Sequence, residues 1–195
     1  AADIFAFTTK FYEKFPELQR NKLFITGESY GGHYVPAISN KIVAEINAGN
    51  SKIPFAGCAI GNGLVDPKIQ YQNYAPFSYS YGLISAFDVE KYKVEMLPCQ
   101  AALDVGAYGT AYIPCNAVMQ GILAASHIKN VYNIKAGCPA PPLCYQFGGV
   151  TELLNEATVK AALGVPAEIT WQDCNFEVNG MFRSDWMHNM APRLL

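Results

Sequence analysis

Apolar residues near the start of the chain recur with helical spacing. Ile4, Phe5, Phe7, Phe11, Tyr12 and Phe15 line one side, and Pro16 closes the run. The pattern predicts a helix to about Phe15 that is already under way at Ala1-Ala2-Asp3-Ile4, so the chain reads as beginning inside a domain and not with a signal peptide. The short apolar run Leu23-Phe24-Ile25-Thr26 predicts a strand, and Tyr34 to Ile46 predicts a helix. A turn at Ala48-Gly49-Asn50-Ser51 leads to a second strand from Phe55 to Ile60. A helix between two such strands is a right-handed crossover in a parallel sheet, so the fold class is α/β. Past Pro67 the texture changes, and Tyr, Pro, Gly and Cys become frequent. Leu83-Ile84-Ser85 to Met96 predicts a helix capped by Ser85. Thr151 to Leu163 predicts another, with Thr151 as N-cap and Gly164 at its stop. On this reading residues 1–70 form the sheet-bearing core, residues 71–171 an insertion above the sheet, and residues 172–195 a return to the core. A doubly wound sheet needs more than two strands, so either further strands are hidden or the chain is the middle of a larger unit.

Between the first strand and the helix stands Gly27-Glu28-Ser29-Tyr30-Gly31, which fits the nucleophile-elbow pattern G-x-S-x-G. Any glycine-rich turn can match five letters; the strand before and the helix after single this one out. In that context the serine oxygen projects from the end of the sheet. Gly27 and Gly31 are small so that the turn can form. The first amides of the helix point to where an oxyanion would develop.

A serine hydroxyl needs a histidine base, and the histidine needs a carboxylate that fixes its tautomer. The chain offers three histidines. His33 sits just past the elbow, the wrong position for the base, and reads as a structural hydrogen-bonding group. His127, beside Ser126, reads as a solvent-exposed or helix-end residue. His188 follows Asp185 in the order acid then base. The two are three apart on what reads as one helix, so both would face the same way. A complete triad within the chain is therefore not expected.

Composition narrows the picture. With 195 residues, 51% hydrophobic and 15% charged, the chain is globular and long enough for a real core. A formal net charge of −2 leaves no electrostatic footprint for nucleic acid. No apolar run approaches the roughly 20 residues that span a bilayer, so no membrane partner is expected. Of the six cysteines, Cys138 and Cys144 bracket Pro139, Pro141 and Pro142, a short loop that a disulfide could close. Cys99 and Cys115 bracket a Gly-rich segment in the same manner. Metal-ligand spacing is missing around all of them, so no metal is expected. Cys58, in an apolar strand, reads as a buried free thiol, with a Cys58–Cys174 bridge as the alternative.

Three separated blocks resemble the serine carboxypeptidases, the acid-active, lysosomal or vacuolar α/β-hydrolases, and most of all their carboxypeptidase Y-like branch. They are Ile25 to Pro36 around the elbow, Ala59 to Pro67 followed by Gln70-Tyr71 and Tyr74, and Cys174-Asn175-Phe176 with Asp185-Trp186-Met187. The resemblance implies a partial α/β-hydrolase fold carrying a helical cap, with strands before Ala1 and after Leu195. It implies disulfides Cys99–Cys115 and Cys138–Cys144, and a partner for Cys174 upstream of Ala1; a further nested pair seen in relatives is absent here. Such disulfides imply an oxidising compartment, vacuolar, lysosomal or secreted.

By the same resemblance the activity is removal of C-terminal amino acids through an acyl-enzyme, with Ser29 as nucleophile and the triad Asp and His beyond residue 195. The Tyr30 backbone amide is implied as one oxyanion donor, and Glu28 as the group that binds the substrate's terminal carboxylate. Two carboxyl groups share a hydrogen bond only if one is protonated, which favours acidic pH. Leu64, Tyr71, Tyr74 and Trp186 match positions lining the apolar pocket for the side chain before the cut bond. Asn62 and Asp66 read as turn-formers. No cofactor is implied. The partners are peptide or protein C-termini, and a homodimer stays open. Two other readings remain. An acyltransferase of the same family would often carry Asp where this chain has Glu28, and a non-catalytic binding or stabilising member needs no triad.

Overall fold

Helix α1 (Ala2–Lys14) opens the chain and ends where the Phe15 amide donates to Phe11, before a short 3-10 turn at Pro16–Arg20. The computed structural model describes residues 1–128, 130–141 and 144–194. The inward face of α1 is narrower than its spacing suggests. Phe5, Thr8, Phe11 and Tyr12 turn in, while Ile4, Phe7 and Phe15 stay exposed. The apolar stripe is wider than the surface it packs on.

Strand β1 (Leu23–Glu28), helix α2 (Gly31–Asn47) and strand β2 (Phe55–Gly61) form the crossover, with the two strands parallel. Ile25 stands opposite Cys58, and Glu28 opposite Gly61. Helix α2 begins earlier than its apolar run, because Gly31 and Gly32 already form its first turn. Alternate residues of β1 point in, as strand geometry requires. Leu23 and Ile25 join Phe55 around the buried Tyr12, Ile42 and Ile53. Phe24, Thr26 and Glu28 point the other way and are exposed. Cys58 corrects the sequence reading: it is an exposed, free thiol, because it lies among the uncovered positions of β2. Cys174 is free as well, so the Cys58–Cys174 bridge is not formed.

The remainder is helical. Asp66 caps α3 (Pro67–Ser80) by accepting from the Ile69 amide. Ser85 caps α4 (Ala86–Glu95) in a reciprocal box with Asp88, whose carboxyl is held below its usual range by the Ser85 side chain and backbone. Helices α5 (Leu97–Asp104) and α6 (Tyr108–Ser126) are linked by the disulfide Cys99–Cys115, both cysteines fully buried. The Gly-rich segment between these cysteines is mostly helical: a short turn with Gly106 at φ 70° joins α5 to α6, and Gly109 lies inside α6. Together with Tyr71, Tyr92, Met96 and Met187 these helices enclose a second core. The exposed His127 ends α6 in the left-handed region.

A second disulfide, Cys138–Cys144, closes the proline loop; Pro142 in that loop lies outside the described residues. The single helix expected from Thr151 to Leu163 is two, α7 (Gly148–Asn155) and α8 (Ala157–Leu163), broken at the extended Glu156. Thr151 lies inside α7, and Phe147 is at its N-cap. At the break, the Asn155 side chain clasps the backbone of Trp171, donating to its carbonyl and accepting from its amide. Gly164 ends α8 at φ 68°. Asn175 caps α9 (Phe176–Met181). The chain then reaches the loop after β2, where the Met190 amide donates to the Val65 carbonyl.

Candidate active site

Ser29 follows β1 at φ 57°, in the left-handed region that costs a non-glycine residue roughly 1–2 kcal/mol. Backbone bonds on both sides hold it there. Its amide donates to Gly61 at 3.0 Å, and its carbonyl accepts from Gly32 at 3.0 Å and Leu64 at 3.1 Å. The elbow is thus locked to the loop after β2, and that loop is pinned by Gln70. The Gln70 side chain accepts from the amides of Val65 and Asp66 and donates to the Gly63 carbonyl. Asn62 in the same loop sits at φ 45°.

The glycines that must be small differ in part from those the motif names. A Cβ on Gly27 would meet Val35 Cγ2 at 2.8 Å, but one on Gly31 would meet nothing within 4 Å. The crowded positions are Gly32, against the Leu64 carbonyl at 2.3 Å, and Gly63, against Ile60 Cγ2 at 2.2 Å. The Gly31-Gly32 and Gly61-Asn62-Gly63 runs were the available signal.

The chemistry-bearing atoms are open. Ser29 is exposed, and its hydroxyl makes no hydrogen bond among the described residues. The Tyr30 amide, at the N-terminus of α2, likewise finds no acceptor among them. A free donor beside a serine oxygen at a helix N-terminus can stabilise negative charge. Glu28 is exposed at the end of β1.

Around the elbow lies an aromatic cluster. The Tyr30 ring stacks on His33 with centroids 4.8 Å apart and planes at 9°. It takes the edges of Tyr34 and Phe182 and lies 6.2 Å from Trp186. Its hydroxyl donates to the Asp185 carboxylate. Burial first, and then that bond, push the hydroxyl above the usual tyrosine range. Trp186 meets Tyr112 edge-on at 5.6 Å, and Tyr71 meets Tyr74 at 5.3 Å. Burial raises both of the latter hydroxyls. Leu64, Tyr74 and Trp186 pack against the core that contains Tyr71, so all four expected pocket residues share one cluster. Phe182 and Tyr112 are not singled out by the sequence, and Asp185 stands out there only as part of the Asp185-Trp186-Met187 block and as the acid before His188, not as a partner of Tyr30.

The histidines do not supply a base to Ser29. His33 is buried, and its ring faces the Leu64 and Asp185 backbones, in keeping with the structural role expected of it, although neither ring nitrogen closes a bond of strict geometry among the described residues. Burial lowers its pKa against the opposing pull of Asp185. Asp185 and His188 part company: Asp185 begins a 3-10 turn and faces Tyr30, whereas His188 is extended and stacks on Tyr108 at 3.9 Å. Among the described residues no group of three His, Cys, Asp or Glu could hold a metal ion. No described helix is long and apolar enough to cross a membrane.

A family model described as serine carboxypeptidase matches residues 1–195. The chain is similar to serine carboxypeptidase S10 family member 1 of Dictyostelium discoideum, 36% identical over 99% of this chain and 47% of that protein. It is similar to serine carboxypeptidase 3 of Hordeum vulgare, 35% identical over 99% of this chain and 40% of that one. The structure resembles that of Kex1(Δ)p, a prohormone-processing carboxypeptidase from Saccharomyces cerevisiae. The TM-score is 0.74 at 22% identity, over 94% of this chain and 43% of the other. That likeness shows the fold, a partial α/β-hydrolase. The chain spans less than half the length of these curated relatives.

Proposed function

The chain belongs to the serine carboxypeptidase family, and on that premise we propose that it carries the nucleophile of a serine-type carboxypeptidase. The enzyme releases C-terminal amino acids from peptides and proteins through an acyl-enzyme. The observation that carries this reading is Ser29 at φ 57° with the unpaired Tyr30 amide beside it, at the start of α2. Ser29 Oγ attacks the scissile carbonyl carbon as a histidine takes its proton. The oxyanion accepts from the Tyr30 amide, the C-terminal amino acid leaves, and water then frees the acyl group. The histidine and its aspartate lie beyond residue 195, which accords with a chain spanning less than half of its relatives.

Glu28, exposed beside Ser29, binds the substrate's terminal carboxylate, sharing a proton with it, and so favours acidic pH. Leu64, Tyr71, Tyr74 and Trp186, with Tyr30, form an apolar pocket for the preceding side chain. The two disulfides support an oxidising location, vacuolar, lysosomal or secreted. An acyltransferase role is disfavoured by Glu28. A non-catalytic role is the second reading, favoured by the lack of a described base on Ser29.

The test is amino acid release by the full-length protein from a peptide with a free C-terminus and from its amide. Release from the free peptide, lost in Ser29→Ala and much weaker on the amide, is expected. No release from either supports the non-catalytic role.

A further inference from the structure

One surface carboxylate is committed to the residue beside the nucleophile. Asp185 comes 155 residues after Tyr30 in the chain, and accepts the Tyr30 hydroxyl on Oδ2. Its carboxylate makes no other hydrogen bond or ion pair among the described residues. The cation nearest in sequence, Arg183, lies instead over the Tyr112 ring at 5.4 Å. A phenol donating to a carboxylate makes a charge-assisted bond, about twice as strong as a neutral one.

The rest of the Tyr30 environment is apolar or aromatic. His33 and Tyr34 come from α2, while Phe182 and Trp186 come from the same returning segment as Asp185. Those ring contacts constrain position loosely, because aromatic pairs tolerate a range of offsets and angles. The hydroxyl is the one polar handle on the ring, and Asp185 holds it. The segment bearing Asp185 is itself fixed: Met187 is buried in the helical core, His188 stacks on Tyr108, and Met190 bonds the Val65 carbonyl.

We propose that Asp185 is a positioning residue that locks the Tyr30 ring against Trp186 and thereby sets the preference for the side chain before the scissile bond. The inference rests on Ser29 being the nucleophile of a peptidase. Its reach is limited to specificity. The Tyr30 backbone, which carries the oxyanion donor, is held by α2 and by the elbow bonds, independently of the ring. Loss of the lock therefore widens the pocket and leaves the reacting atoms in place. Substrates with a large apolar penultimate residue suffer, and substrates with glycine there do not.

The test uses the full-length protein and two peptides that differ only in a penultimate Phe or Gly. Asp185→Ala and Tyr30→Phe should each lower kcat/KM for the Phe peptide by about tenfold relative to the Gly peptide, chiefly through KM. The double variant should lose no more than either single variant, because both remove one bond. Asp185→Asn keeps an acceptor oxygen and should restore most of the preference. Equal losses on both peptides, or additive losses in the double variant, overturn the proposal. If Asp185→Ala does not fold, the comparison of Tyr30→Phe with Asp185→Asn decides it. Hydrolysis of neither peptide by the wild-type protein overturns the peptidase reading, and the inference with it; hydrolysis with unchanged preference overturns the inference alone.

Discussion

Gly32 and Leu64 meet backbone to backbone: a Cβ on Gly32 would come within 2.3 Å of the Leu64 carbonyl oxygen. This approach lets the Leu64 amide reach the Ser29 carbonyl and seats the elbow on the loop after β2. Gly32→Ala should therefore destabilise the protein by roughly 1–3 kcal/mol through overpacking, and reduce activity more than stability explains. Gly31→Ala, with open space at its Cβ, should shift stability by less than about 1 kcal/mol toward the folded state. Urea unfolding of both variants checks the contrast, and equal losses would refute it.

The disulfide between Cys99 and Cys115 holds α5 to α6 inside the helical core. The chain-entropy relation assigns about 3 kcal/mol to a loop of this size and about 2 kcal/mol to the shorter Cys138–Cys144 loop. Replacing Cys99 and Cys115 by Ala should cost more than replacing Cys138 and Cys144, because it also opens a buried core. Chemical denaturation of the two double variants makes the comparison; the reverse order would contradict it.

His33 gives stability a pH dependence. Burial lowers its pKa, Asp185 opposes that shift and His188 adds to it. The unfolded chain takes up the proton from about pH 6.5 downward, while the folded imidazole resists it. The unfolded state then binds more protons, so the stability present above about pH 6.5 falls as the pH drops toward the lower folded pKa. His33→Phe keeps a ring under Tyr30 and should flatten this part of the profile in urea titrations at several pH values. A slope as steep as that of the wild type would exclude His33 as its source.

Glu28 should act on binding and not on chemistry. Glu28→Ala should raise KM for peptides with a free C-terminus by about tenfold or more, while kcat changes little, as for loss of uniform binding. A peptide amide, lacking the terminal charge, should be hydrolysed equally by both proteins. A fall in kcat with KM unchanged would assign Glu28 a different job.

The elbow was legible because every signal for it is local: an apolar run, a five-residue motif, then a helix. The starts of β1 and β2 follow from the same runs, whereas β1 continues past Thr26 to Glu28 and β2 past Ile60 to Gly61. The helical part was harder to read. Helix α6 contains Gly109, Pro114 and Gly121 and is apolar on most sides, so neither propensity nor periodicity announces it. Pro76 hides α3 in the same way. The break at Glu156 is marked by a tertiary clasp, Asn155 on Trp171, that no local pattern reveals. Cys58 misled because an apolar strand implies two covered faces, and only one face of β2 is covered here. Leu64, Tyr71, Tyr74 and Trp186 are singled out by the resemblance and not by any local pattern, and they share one hydrophobic cluster. The Asp185–Tyr30 bond links positions too distant for any spacing argument.

The central claim is that Ser29 is an activated nucleophile whose base lies outside these residues. Labelling with a fluorophosphonate serine probe at pH 5 and pH 7 tests it most directly, on the full-length protein, on its Ser29→Ala variant and on residues 1–195 alone. The expected result is labelling of the full-length protein only. Labelling that persists in Ser29→Ala, or a full-length protein that takes no label at either pH, would contradict the claim.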